Sequence, residues 1–225
     1  MSSTATTGTP RVRPAGTAAR ATGAAAAALF AVALFMTVAS VDVPHDPSDQ
    51  ELLSWWQDSG NRTAGVMSGM WALVAACTIP VVMHHLHTLA AAAKAPGWLA
   101  FARSMAAAVT AVWLVTGAAR ATIGHLVDMM DEPLPGVDVL RAVTAFNYTL
   151  LGLSGMTVLG LFILAVSVVV LRTGALGRWL GYLGVGCAVL MIGAVVAQYG
   201  VFTTPLGILW SLCLAVAIWR QHDPA

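Results

Sequence analysis

Residues 23–41 carry no charge, and equally uncharged runs recur at 64–83, 146–171, 179–197 and 201–219. A helix of about 20 apolar residues, rising about 1.5 Å per residue, has the length needed to cross a hydrocarbon core of roughly 30 Å. A further stretch, 98–119, is broken only by Arg103 and continues in more polar form toward Asp128. A soluble domain could bury one or two such segments, but it would still need polar side chains over its outside. Only 9% of the 225 residues are charged, against roughly 25% in an ordinary soluble domain. The fold expected is therefore all-α, a polytopic transmembrane bundle of about six helices with a short outer interfacial helix. Residues 1–22 read as a disordered cytosolic tail, 23–219 as the transmembrane domain with its outer loop and interfacial helix at 42–62, and 220–225 as a second cytosolic tail.

Charge placement sets the direction of the threading. Six spans starting from a cytosolic N-terminus put Arg11, Arg13, Arg20, Lys94, Arg103, Arg172, Arg178 and Arg220 on the inner side, eight of the eleven basic residues, as the cytoplasmic excess of Lys and Arg requires. The same threading puts Asp42, Asp46, Asp49, Glu51, Asp58, Asp128, Asp131, Glu132 and Asp138 outside and leaves only Asp223 within. A multi-pass protein of the plasma membrane with both termini cytoplasmic is expected, its partner being the lipid bilayer. The basic start, apolar run and small residues at 38–40 also resemble a signal peptide, whose removal would leave five helices in the same orientation, although the run exceeds a usual h-region. The net charge of +1 gives no electrostatic footprint for nucleic acid. Cys77, Cys187 and Cys213 lie inside apolar stretches and read as packing residues, not as a disulfide or zinc framework. Oligomeric state is not legible.

Within the outer loop, Ser48 followed by Glu51 is a helix-start signature. Leu52, Leu53, Trp55 and Trp56 suit a helix lying at headgroup level, where it would roof whatever lies beneath. At the last span, Thr204 and Pro205 resemble an N-cap and first helical position, which leaves only about 15 residues and predicts an earlier start or less tilt. Gly65 with Gly69, Gly177 with Gly181, and Gly152, Gly155 and Gly160 predict close helix contacts in a compact bundle.

Arg120 is the most unusual residue, since the apolar stretch before it places a guanidinium inside a span. Thr116, Arg120, Gly124 and Asp128 share one helical stripe beside His125, and Asn147 enters the next span at similar depth. With Gln198 and Tyr199 closing the fifth span, an outward-facing pocket of Arg120, His125, Asp128, Asn147, Gln198 and Tyr199 is expected, roofed by Trp55 and Trp56. Arg120 suits a carboxylate or phosphate, and His125 or Asp128 are the candidates for proton transfer. The structural alternative is that Arg120 snorkels to the headgroups or pairs with Asp128 or a loop carboxylate.

His84, His85 and His87 cluster at the inner end of the second span, with 84 and 87 on one face and 85 turned about 100° away. Only His84 and His87 are candidate metal ligands, and the inner side offers no Cys or Glu to complete a zinc site. The cluster reads by default as a polar edge ending the span, with Pro80 bending the helix before it. No cofactor is expected, since axial haem ligands would have to come from facing helices. Nucleotide-loop, GxSxG and HExxH signatures are absent, and the glycosylation patterns at Asn61 and Asn147 are discounted.

In layout, in Arg172-Thr173-Gly174-Ala175-Leu176-Gly177-Arg178-Trp179-Leu180-Gly181-Tyr182 and in Pro205-Leu206-Gly207-Ile208-Leu209-Trp210, the chain resembles a bacterial six-helix integral membrane family of unknown function. That resemblance implies a fold and no activity. Binding or transport of a small amphiphilic or anionic molecule is the leading reading. A small intramembrane enzyme of cyclase or isomerase type on an isoprenoid-like lipid, with Asp128 as acid, is the second, and a structural or regulatory membrane partner the third.

Overall fold

The computed structural model describes residues 17–41, 43–44, 47–90 and 96–221. Every regular element among them is helical: α1 (Thr17–Ala39), α2 (Asp49–Gln57), α3 (Ser59–Ala90), α4 (Pro96–Gly124), α5 (Val137–Tyr148), α6 (Met156–Thr173), α7 (Arg178–Val196) and α8 (Thr204–Trp219). A π turn, His125–Met129, extends α4, a second, Thr149–Gly155, joins α5 to α6 without a break, and a 3-10 turn, Gly200–Thr203, leads into α8. Six helical stretches are long and apolar enough to cross a membrane: Thr17–Ala39, Ser59–Leu89, Pro96–Met129, Val137–Thr173, Arg178–Val196 and Gly200–Trp219. Arg11, Arg13, Asp42, Asp46, Lys94, His222 and Asp223 lie outside the described residues.

Two boundaries differ from the sequence reading. Residues 17–22, assigned by composition to the tail, are helical: Ala18, Ala19 and Ala21 are strong helix formers, and Arg20 donates from Nη1 to the Gln221 carbonyl beyond α8. The helices are also longer than their apolar cores. α3 has 32 residues, about 48 Å at 1.5 Å per residue, so it outruns the hydrocarbon thickness and carries polar residues past it. The last span gains its missing length from the 3-10 turn, and its N-cap is Thr203, one residue before the expected one.

α2 forms where the capping signature predicts. The Glu51 N–H donates to Ser48 Oγ at 3.3 Å, and the Ser48 N–H donates to the Glu51 carboxylate at 2.8 Å. These bonds hold the Glu51 carboxyl below its ordinary range, the backbone donor contributing most. Leu52 and Trp56 turn inward, and α2 packs against α3 and α5.

The spans form a closed circuit in which α1 packs on α3, α3 on α4, α4 on α6, α6 on α7, α7 on α8 and α8 back on α1. Its core holds two edge-on aromatic pairs, Phe30 with Trp113 at 6.3 Å and Phe162 with Trp210 at 6.0 Å. The α3–α4 crossing is set by glycine. A Cβ on Gly69 would stand 2.5 Å from the Gly117 carbonyl oxygen, and one on Gly117 would stand 2.9 Å from that of Gly69, so the backbones meet only because neither has a side chain. All described carboxylates sit at one end of the bundle, on α2, at the α2–α3 junction, and from the α4 extension to the start of α5. Arg20, Arg103, Arg172, Arg178 and Arg220 sit at the other, which makes an acidic and a basic end.

Candidate functional site

The close approach of Gly69 and Gly117 brings Ser68 and Arg120, on neighbouring turns, to the same crossing. Arg120 Nη1 donates to the Thr37 carbonyl at 2.8 Å and also to Ser68 Oγ, and Ser68 Oγ itself donates to the Thr37 carbonyl at 2.6 Å. Thr37 lies in the last turn of α1, where carbonyls lack intrahelical partners and a cation is favoured by the helix dipole. One guanidinium thus ties α4 to the end of α1 and to α3.

Among the described residues that guanidinium has no counter-ion. Arg120 is only 8% exposed, yet no ion pair among the described residues involves it, and its Nε–H has no hydrogen-bond partner. Burying an uncompensated charge costs several kcal/mol. Asp128, the expected partner on the same stripe, is taken by Arg62, whose Nε and Nη2 donate to the same carboxylate oxygen at 2.9 and 2.6 Å. Arg62 Nη1 also donates to the Trp56 and Gln57 carbonyls at 3.0 and 2.7 Å, which fastens the C-terminal end of α2 to α3. Arg141 pairs with Asp49 at 2.6 Å, joining α5 to the other end of α2. The three arginines that break the inner-side charge count are thus the three that organise the acidic end.

Beside Arg120 lies a cleft of about 350 Å³. Trp56 of α2, Gly65 of α3 and Thr144, Asn147 and Tyr148 of α5 line it, and Val41 and Val43 close it from the α1–α2 connection. Trp56 Nε1, Thr144 Oγ1 and Asn147 Oδ1 are buried without hydrogen-bond partners, like Arg120 Nε. Four unsatisfied groups around one cleft stand out, because buried polar atoms are ordinarily paired. The indole and guanidinium are donors only, the hydroxyl serves either way, and rotation of the amide exchanges its acceptor for a donor. The cleft has room for roughly one or two waters or the head of a small anion.

Of the residues expected in the pocket, Arg120, Asn147 and Trp56 come together there. Trp55 is half-buried and meets Trp56 edge-on at 4.8 Å, outside the lining. His125 is exposed on the π turn, and Asp128 faces Arg62. Gln198 and Tyr199 are exposed beyond α7, where the positive φ of Gln198 (66°) ends the helix and Tyr199 packs beside Phe202 at 6.2 Å. Thr37, Ser68, Arg62 and Thr144 escaped the sequence reading. Ser68 beside Gly69 in an apolar run was the one visible signal, whereas the other three depend on which helices meet.

At the basic end, His85 is the buried member of the histidine cluster, and a Cβ on Gly23 of α1 would lie 2.6 Å from its ring. His84 is exposed and His87 half-buried. Among the described residues no three His, Cys, Asp or Glu side chains group as metal ligands. Six helices able to span a membrane are in place, as the layout resemblance implies. Compared with protein-family models, with curated proteins and with solved structures, the chain finds no match in any of the three.

Proposed function

We propose that this is a multi-pass membrane protein that binds a small anionic or amphiphilic molecule at Arg120, in the cleft that opens toward the outer face. The carrying observation is a buried guanidinium with no carboxylate partner among the described residues and an unpaired Nε–H, beside three further unpaired polar groups. A carboxylate head would accept from Arg120 Nε, and Trp56, Thr144 and Asn147 would complete its shell. The valine, tryptophan and tyrosine walls suit a short apolar tail. The bundle interior supports binding over passage. Trp113 lies seven residues before Arg120, about 10 Å deeper along α4, and is fully buried against Phe30. The enzyme reading draws little support, since Asp128 is held by Arg62 and His125 does not line the cleft.

The test is a thermal-shift series on detergent-solubilised protein with acetate, hexanoate and decanoate, and with decyl-trimethylammonium as the cationic control. Stabilisation that grows with chain length in the carboxylates, is absent for the cation, and disappears in Arg120→Met is expected. Equal response to the cation, or an undiminished response in Arg120→Met, would overturn the assignment.

A further inference from the structure

A second cavity lies at the basic end, between α3, α4 and α6. It is a shallow groove of about 310 Å³, counted together with the open space at its mouth, and Met83, Leu86, Leu99, Ala102, Val166 and Val170 are among its walls, which expose no polar atom. Thr173, its one polar lining residue, spends its Oγ1 accepting from the Ala175 N–H at 3.2 Å. Apolar cavities of this kind do not hold water. In a bilayer the available filler is hydrocarbon.

Among the described residues the rim carries one sign of charge. Arg103 directly follows the lining residue Ala102, Arg172 directly precedes Thr173, and Arg178 follows Leu176 by two positions; all three are exposed. No ion pair among the described residues occupies them, and no described carboxylate sits at this end. Arg172 lies over the Trp98 ring at 5.7 Å, an arrangement that holds the α6 end against the α4 start and leaves guanidinium donors at the rim. A tryptophan at headgroup depth with arginines above an apolar groove reproduces, in order, the layers of a phospholipid.

We infer that the groove between α3, α4 and α6 seats one acyl chain of an anionic glycerophospholipid, whose phosphate engages Arg103, Arg172 and Arg178. The occupant is a lipid of the surrounding leaflet and not a soluble anion, because the walls offer nothing to a polar group. An anionic head is preferred over a zwitterionic one because the rim has three cations and, among the described residues, no carboxylate. The lipid would brace a junction at which three helices leave an open apolar groove.

Native mass spectrometry of the full chain released from nanodiscs of equal phosphatidylglycerol and phosphatidylcholine tests this. One phosphatidylglycerol retained per chain, in clear excess over phosphatidylcholine, is expected. Arg103→Gln with Arg172→Gln, both at exposed positions, should lower that preference roughly twenty-five-fold, at about fivefold per juxtamembrane arginine. Leu99→Trp, which fills the groove, should abolish retention of either lipid, while Arg120→Met at the opposite end should leave it intact. Equal retention of the two lipids by the wild type, or a preference unchanged in the double arginine variant, would overturn the assignment even if Leu99→Trp failed to fold.

Discussion

Replacing Arg120 by methionine should change the stability of the ligand-free protein very little. The substitution removes two charge-assisted hydrogen bonds, to the Thr37 carbonyl and to Ser68 Oγ, worth about 1.5–3 kcal/mol each. It also removes a buried, uncompensated charge whose desolvation costs several kcal/mol, and methionine refills most of the volume. The Thr37 carbonyl keeps the Ser68 hydroxyl as donor at 2.6 Å, so no acceptor is orphaned. The net change should fall within about 2 kcal/mol of zero. Ser68→Ala does the opposite: it keeps the charge and deletes one of its two acceptors, at about 1.5–3 kcal/mol. In the Arg120→Met background the same serine substitution removes the donor that the Thr37 carbonyl had kept, at about 1–3 kcal/mol for a buried acceptor left unpaired. The two serine costs are therefore of similar size, and the double-mutant cycle should show a coupling within about 1.5 kcal/mol of zero. SDS-driven unfolding in mixed micelles, followed by far-ultraviolet circular dichroism, gives all four corners. A loss above about 4 kcal/mol in Arg120→Met, with Ser68→Ala silent, would refute the reasoning, because it would mean that the guanidinium is already compensated and serves as a clamp.

Three further outcomes follow from the same geometry. Gly69→Ala drives a methyl group to 2.5 Å from the Gly117 carbonyl oxygen, so it should cost about 1–3 kcal/mol by overpacking and, by parting α3 from α4, weaken the carboxylate-induced thermal shift. Asp128→Asn breaks the Arg62 pair, but Arg62 retains two backbone acceptors and the carboxylate side chain is 35% exposed; unfolding should show a loss of no more than about 1 kcal/mol, vanishing at high salt. Glu51 has a carboxyl held below its ordinary value by Ser48, so its contribution to α2 is present above that ordinary value and is lost as pH falls through the depressed folded one. Acid titration of Trp55 and Trp56 emission should follow that loss, and Glu51→Gln should remove the transition.

The six spans, the short capped helix and the division into acidic and basic ends are all legible in the residue order, because each is local. An uncharged run of sufficient length is a span whatever surrounds it, and the Ser48 to Glu51 box closes within one turn. Local order also marks Arg120 as an anomaly, since a guanidinium within an apolar span is rare and costly wherever it occurs. It does not reveal the partners. Thr37 and Ser68 stand 83 and 52 positions from Arg120, and only the glycine-to-glycine crossing of α3 and α4 and the packing of α1 on α3 bring them within reach. The stripe that places Asp128 below Arg120 is equally real on the helix surface, yet Arg62, 66 positions away, holds that carboxylate after α3 swings α2 over it. Helical periodicity states which residues share a face. Which face meets which is decided by the shape of the whole bundle, and the unpaired charge at Arg120 is a property of that shape.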